Sequence, residues 1–129
     1  MPDEDYRAAA PRLFRDAEQL SMADRQATAC HLYGLAAECA LKHHLQFIQG
    51  AETSVPWVHL PDIADRLRLH VEGRRRDSGG LRQLLKRDDY MQGWSVHNRY
   101  WPDSAFDADQ HGRFKEHARR TLIASGVAL

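Results

Sequence analysis

Residues Ala29–Ile48 read ACHLYGLAAECALKHHLQFI, and this stretch decides the fold. Apolar or small residues recur along it every three or four positions, which is the spacing of one helix face. Most of the remaining circumference is apolar as well, so a helix of this sequence is enclosed by other elements. We therefore predict one long central helix, against which the rest of the chain packs.

Two charged residues interrupt this apolar stretch. Glu38 and Lys42 lie four positions apart and therefore share one side of the predicted helix. Two interpretations are open. Either the pair lies on a solvated edge of the helix, or Glu38 points into a polar pocket and meets a cation from elsewhere in the chain.

Length and composition describe a globular protein. The chain has 129 residues, of which 43% are hydrophobic and 28% charged, and we expect residues 1–129 to form a single domain. The formal net charge is zero, so any attraction to nucleic acid depends on a local basic patch. No apolar run is long enough for a membrane span, and no signal peptide is recognisable. We expect a cytoplasmic protein without membrane association.

Helical periodicity continues on both sides of the central stretch, and no segment alternates as a strand does. Predicted helices cover about residues 3–20, 21–49, 61–73, 81–91 and 107–125. Pro11 implies a kink or a later start of the first helix, and Ser21 and Asp107 are predicted N-caps. Residues 77–80 (DSGG) are predicted to form a turn. The sequence thus predicts an all-α fold, a four- to five-helix up-and-down bundle.

Three short motifs stand out within this pattern. They are AAECALK at Ala36–Lys42, His59-Leu60 at a predicted helix start, and RYWPD at Arg99–Asp103 before the last helix. Together they resemble the HEPN family, whose members are helical bundles with AAE-x-x-LK, H-x-L and RYP or RYPD motifs. Here Trp101 stands between the Tyr and the Pro of the third motif. The resemblance covers about residues 20–125.

The resemblance implies a nucleotide- or RNA-binding module and a homodimer. It also implies a nucleotidyltransferase partner, in a toxin–antitoxin or defence system. Catalytic family members carry an arginine followed, after four to six residues, by a histidine, and they need no metal. After Arg99 those positions hold Ser104, Ala105 and Phe106, so the standard ribonuclease motif is absent. Two alternatives stay open: a purely structural protein-interaction module, and a metal-independent ribonuclease that uses Arg99 and His97.

Arg99 needs an acceptor if the bundle partly encloses it, and Glu38 is the carboxylate embedded in the predicted central helix. We therefore predict a Glu38–Arg99 ion pair. This pair is either architectural, or it accompanies a groove in which Arg99, Tyr100 and His97 face a phosphate or a base.

The basic run at residues 74–76 is a further candidate for phosphate contact, or else a solvated turn. The predicted nucleotide- or RNA-binding residues are therefore Glu38, Lys42, Arg74, Arg75, Arg76, Arg99 and Tyr100. We expect no metal site and no cofactor, since adjacent histidines on a helix point about 100° apart. The three tryptophans either fill gaps in the core or in a dimer interface, or stack on bases.

Overall fold

The structure is a computed structural model that describes residues 3–50, 55, 57–71 and 75–129, without the side chains of residues 75–78. Its described residues form five α-helices and two short 3-10 helices, and they contain no strand. The helices are α1 (Tyr6–Met22), α2 (Gln26–Gln49), α3 (Asp62–Val71), α4 (Arg75–Leu85) and α5 (Ala108–Ala124), and the 3-10 helices are Val96–Tyr100 and Asp103–Ala105. The predicted all-α bundle is confirmed.

The core forms where α2 packs against α1, α3, α5 and the first 3-10 helix. α2 is the longest described helix, with 24 residues. The core continues where α4 packs against α3 and α5, and these three helices contribute large, fully buried side chains, each of which stabilises the fold by about 1.5–3 kcal/mol. These side chains include Ile63, Leu67, Leu81, Leu85, Phe114 and Leu122. Within the described residues, no helix combines the length and the apolar character that crossing a membrane requires.

Two predicted helix ends are confirmed by their cap geometry. Asp107 accepts a hydrogen bond from the Gln110 N–H at 2.7 Å and donates its own N–H to the Gln110 side chain at 3.2 Å. This reciprocal pair satisfies two N–H groups at the start of α5. Gly50 ends α2 with φ +96°, a left-handed conformation that a glycine adopts without steric cost.

The predicted role of Ser21 as an N-cap is wrong. Ser21 lies in the last turn of α1, and α2 begins only at Gln26, without a side-chain cap. The Ser21 hydroxyl instead contacts the Tyr33 hydroxyl at 3.1 Å and the His111 Nε2 at 2.8 Å. Bonds to α2 and α5 thus replace the local capping role, because a polar group this close to the core needs partners.

The fourth helix also differs from the prediction. The expected turn at residues 77–80 belongs to α4, which ends at Leu85 rather than near Met91. The first half of α4 includes two glycines, Gly79 and Gly80, whose helix propensity is weak. The helix forms there because the leucines that follow bury their side chains in the core, and such packing overrides propensity. α1 likewise continues through Pro11.

Gly34 of α2 provides the seat for the Trp94 side chain. A Cβ atom placed on Gly34 would lie 1.9 Å from two atoms of the Trp94 indole. The indole Nε1–H donates to the His31 carbonyl at 3.3 Å, which fixes the ring across the helix. The segment before the first 3-10 helix is therefore held against α2 by a contact that only glycine permits.

We predict that Gly34→Ala destabilises the protein by at least about 1–3 kcal/mol, because the indole must leave its seat. Denaturation in urea measures the change. Gly112→Ala in α5 is the matched control: its Cβ would meet no atom within 4 Å. That control should stabilise the protein by about 0.5–1 kcal/mol, the usual gain from removing a helical glycine. Equal effects of the two substitutions would contradict the packing described for Trp94.

His117 of α5 holds the turn that follows α4. Its buried Nδ1 accepts a hydrogen bond from the Met91 N–H at 2.9 Å, and its ring stacks on Tyr90 with centroids 5.6 Å apart. Burial lowers the pKa of His117 most, nearby arginines lower it further, and Asp89 opposes them. The neutral ring is therefore the form that the fold selects.

We predict that stability falls as the pH drops below the pKa of about 6.5 that the unfolded histidine has. The unfolded chain then binds a proton that folded His117 resists, so stability is complete above this pH and declines below it. Melting curves from pH 8 to pH 5 test this for the parent and for His117→Asn, whose Oδ1 takes the position of the histidine Nδ1 and can accept the same N–H. The variant should lose less stability on acidification, and parallel profiles would contradict the assignment.

Candidate functional site

Glu38 joins α2 to the segment that opens α3. Its side chain is 4% exposed, and its carboxylate accepts a hydrogen bond from the Leu60 backbone N–H at 3.1 Å. The His59 Nδ1 lies 3.0 and 3.1 Å from the two carboxylate oxygens. The Lys42 ammonium completes the set at 3.3 Å. Of the two interpretations of Glu38, the structure favours the inward-facing one.

Lys42 is as deeply buried as its partner. The ammonium lies 5.4 Å from the centroid of the Tyr6 ring, so α1 provides a cation–π contact in addition to the carboxylate. Both charges of the pair are thereby compensated within the bundle. Neither side chain presents a charged surface to a macromolecular ligand, although both were predicted binding residues.

The predicted Glu38–Arg99 ion pair is not formed. Arg99 is exposed, its Cζ atom lies 4.9 Å from the centroid of the Tyr100 ring, and no carboxylate of the described residues pairs with it. The carboxylate oxygens of Glu38 are already occupied by nearer donors. In addition, buried Asn98 bonds to the Ser95 N–H at 3.0 Å and to the Gly93 carbonyl at 3.3 Å. This anchoring turns the next residue outward.

His31 lies on α2 about two helical turns before Glu38, and it is also buried. Its ring stacks on Trp94 with centroids 5.6 Å apart, and its Nδ1 has no hydrogen-bond partner in the described structure. Burial lowers the pKa of His31 most; the charge of Arg99 and, to a lesser degree, that of His59 lower it too, against Glu38. All three groups therefore lie within electrostatic range of one imidazole.

We refer to His31, Glu38, His59 and Arg99 as the polar site. Glu38, His59 and Arg99 each come from one of the three sequence motifs, and the charge of each influences the pKa of His31. Sequence reasoning did not name His31 or His59 as functional residues. A signal for His59 was present in the sequence, since His59 belongs to the second motif. Nothing in the sequence distinguishes His31 from the other histidines, of which the chain has 8 in total, because burial is not visible in a residue pattern.

The Glu38 carboxylate determines which nitrogen His59 offers to solvent. Because it accepts bonds from a backbone N–H and an ammonium, the carboxylate is ionised, and the His59 Nδ1 must be the donor. The imidazole is 51% exposed, so its Nε2 edge remains available to a ligand. This is the arrangement in which a carboxylate orients a histidine that acts through its other nitrogen.

Aromatic side chains follow Arg99 along the chain. Tyr100 is 74% exposed, and Trp101 is partly exposed and packs on Phe106 with centroids 6.0 Å apart. His97 is exposed in the same 3-10 helix. Of the three tryptophans, only Trp94 fills a core gap, as one interpretation expected. Trp57, two residues before His59, is 88% exposed.

The remaining predicted residues lie partly outside the described structure. Arg74 is not among the described residues, and Arg75 and Arg76 begin α4 with undescribed side chains. No group of three His, Cys, Asp or Glu side chains within the described ranges is arranged to hold a metal ion. Comparisons of the chain with protein-family models, curated proteins and solved structures found no match. The resemblance to HEPN proteins therefore rests on the three motifs alone.

We predict that Glu38→Gln destabilises the protein by about 3–5 kcal/mol, because it leaves the Lys42 charge buried without a counter-charge. The glutamine can still accept the Leu60 N–H, so the lost charge is the main change. Adding Lys42→Met should recover more than half of the loss, as urea denaturation would show. Glu116→Gln, which removes two exposed ion pairs, to Arg119 and to Arg120, is the control and should change stability little. If the effects of Glu38→Gln and Lys42→Met on the free energy of unfolding simply add in the double variant, the coupling between the two charges is contradicted.

Proposed function

We propose that the chain is an HEPN-like nucleotide- or RNA-binding module without the standard ribonuclease motif. In this proposal Arg99 and His59 contact phosphate, and Tyr100 stacks on a base. The observation that carries it is the exposed Arg99 guanidinium, which lies on an aromatic ring without a carboxylate partner in the described structure.

A guanidinium in this position is suited to a phosphate. It offers five N–H donors in a planar fork that matches phosphate oxygens, and the Tyr100 ring beneath it limits the number of side-chain conformations. The ring itself is largely exposed, so it offers a face for base stacking, which requires no particular base.

His59 supplies a second contact of different chemistry. The Nε2 edge, when protonated, donates to a phosphate oxygen, while Glu38 holds the other nitrogen. Glu38 and Lys42 thus enter the proposal as groups that position His59 rather than as direct contacts. The charge balance of the whole chain is zero, so binding depends on these local groups.

The resemblance alone supports the finer parts of the proposal. These are a homodimer, a nucleotidyltransferase partner and a place in a toxin–antitoxin or defence system. A cytoplasmic location is part of the proposal as an expectation from the sequence. No cofactor is required for binding of this kind.

We predict that a fluorescein-labelled 12-nucleotide oligouridylate binds the full chain with an affinity that falls as salt rises, because phosphate contacts release counterions. Arg99→Gln should weaken binding about tenfold and reduce the slope of log Kd against log salt by about one contact. Tyr100→Ala should weaken binding with little change in slope, because stacking is not ionic. Fluorescence anisotropy at two or more salt concentrations measures both effects.

Arg15→Gln is the matched control, since Arg15 is an exposed arginine on α1, away from the polar site. Absence of salt-sensitive binding by the parent would refute the proposal. Equal weakening by Arg15→Gln would show that contact is non-specific. Denaturing gels of the same samples test the ribonuclease alternative: product that forms with the parent and disappears in Arg99→Gln and His97→Gln would establish it. Loss of melting temperature in Arg99→Gln without an effect on binding would favour the structural alternative.

A further inference from the structure

Two clefts meet at the end of α5, on a surface that contains none of the polar-site residues. One, of about 460 Å³, lies between α4 and α5. The other, of about 320 Å³, is lined by residues of α1 and α2 and by residues 124–126. Ala124 lines both clefts, so they are adjacent, and we call the two together the α5-end groove.

The groove carries charge of one sign. Arg87, Arg119 and Arg120 line the first cleft and Arg7 lines the second, whereas no Asp or Glu of the described residues lines either. The whole chain has 18 basic and 18 acidic residues, so this separation is local. Positive charge gathered along a cleft selects anionic partners.

Neighbouring carboxylates compensate this charge only in part. Glu116 bonds to Arg119 and Arg120, and Asp89 bonds to Arg87. Two carboxylates thus face three guanidinium groups, each with five donors. The Glu116 bond to Arg120 occupies only its Nε, at 2.9 Å, so both terminal nitrogens point elsewhere. The rim of the groove therefore retains donors for further acidic groups.

Apolar side chains lie between the arginines. Ile123 is 54% exposed and Phe47 is 63% exposed, and Leu84 lines the first cleft below. A phosphate backbone would leave these side chains in water, because it has no apolar surface to cover them. A peptide that carries both acidic and apolar side chains satisfies both requirements.

The walls of the first cleft have the geometry that peptide grooves use. α4 contributes Gly80, Gln83 and Leu84, which lie at the i, i+3, i+4 positions of one helix face, and Arg87 follows in the turn after α4. A Cβ on Gly80 would lie 3.7 Å from that of Ala124, so the two helices approach closely at this end. Paired helix faces that converge in this way form a groove for a peptide segment.

We propose that the α5-end groove docks an acidic peptide segment of a partner protein, whose aspartates or glutamates pair with the arginines and whose apolar side chains cover Ile123 and Phe47. The proposal is independent of nucleotide binding at the polar site.

A phage-displayed library of random 12-residue peptides, panned on the immobilised full chain, tests it. The selected peptides should be rich in Asp or Glu together with Leu, Ile or Phe. A synthetic, labelled copy of the strongest binder should then lose affinity about tenfold or more with Arg119→Gln/Arg120→Gln and with Ile123→Ser. Matched controls are Arg15→Gln/Arg66→Gln, which remove the same charge elsewhere, and Leu69→Ser on the exposed side of α3. These controls should keep binding within twofold, and melting curves verify that all variants fold.

Three results would overturn the proposal. One is selection of neutral or basic peptides, or of none. Another is equal binding of the selected peptide by groove and control variants. The third is evidence for a different occupant. If sedimentation shows that the parent is a dimer and that only the groove variants are monomers, the occupant is a second copy of the chain. If the groove variants lose oligouridylate binding, the occupant is nucleic acid. Retained peptide docking in Arg99→Gln distinguishes this surface from the polar site.

Discussion

The arrangement of the bundle depends on the hydrogen bonds that the buried Glu38 carboxylate accepts. This carboxylate lies in an apolar helix and receives donors from three places: Lys42 on its own helix, the His59 ring and the Leu60 backbone. A charge in such surroundings is tolerated only when every acceptor site is occupied. The carboxylate therefore does more than neutralise one lysine, since it fixes where the connection into α3 must lie. The position of His59 on the surface follows from this one buried group.

In this arrangement, the residues that hold the polar site in place are different from the residues that face solvent. The deeply buried pair, Glu38 and Lys42, stays inside, and the groups that face solvent, His59 and Arg99, lie next to buried residues that are themselves hydrogen-bonded. Glu38 holds the His59 ring by a hydrogen bond, and Asn98 holds the backbone next to Arg99 by two hydrogen bonds. The two buried residues therefore have similar positioning roles. Rigid support of this kind lowers the entropy that a binding site loses when it is occupied.

Sequence reasoning succeeded where the physics is local. The end of α2 at Gly50 and the cap at Asp107 depend on residues within one helical turn, and both are where the chemistry of those residues places them. The all-α class follows from a periodicity that spans the whole chain. The inward orientation of Glu38 was one of two interpretations, because charge spacing on a helix is the same in a solvated pair and in a buried one.

What sequence reasoning missed depends on groups far apart in the chain. The prediction of a Glu38–Arg99 pair failed because a backbone N–H and an imidazole, 22 and 21 residues away, reach the carboxylate instead, and a backbone donor has no signature in a residue pattern. The early start of α4 likewise depends on packing against α5. His31 acquires its unusual surroundings only when Trp94 lies over α2.

The seat of Trp94 on Gly34 has a consequence for the history of this sequence. Residues 34 and 94 share one volume, so neither is free to vary alone. In the descendants and ancestors of this chain, any side chain larger than hydrogen at the first position requires a smaller one at the second. Paired substitution at these two sites would then be inherited as a unit, although 59 residues separate them along the chain.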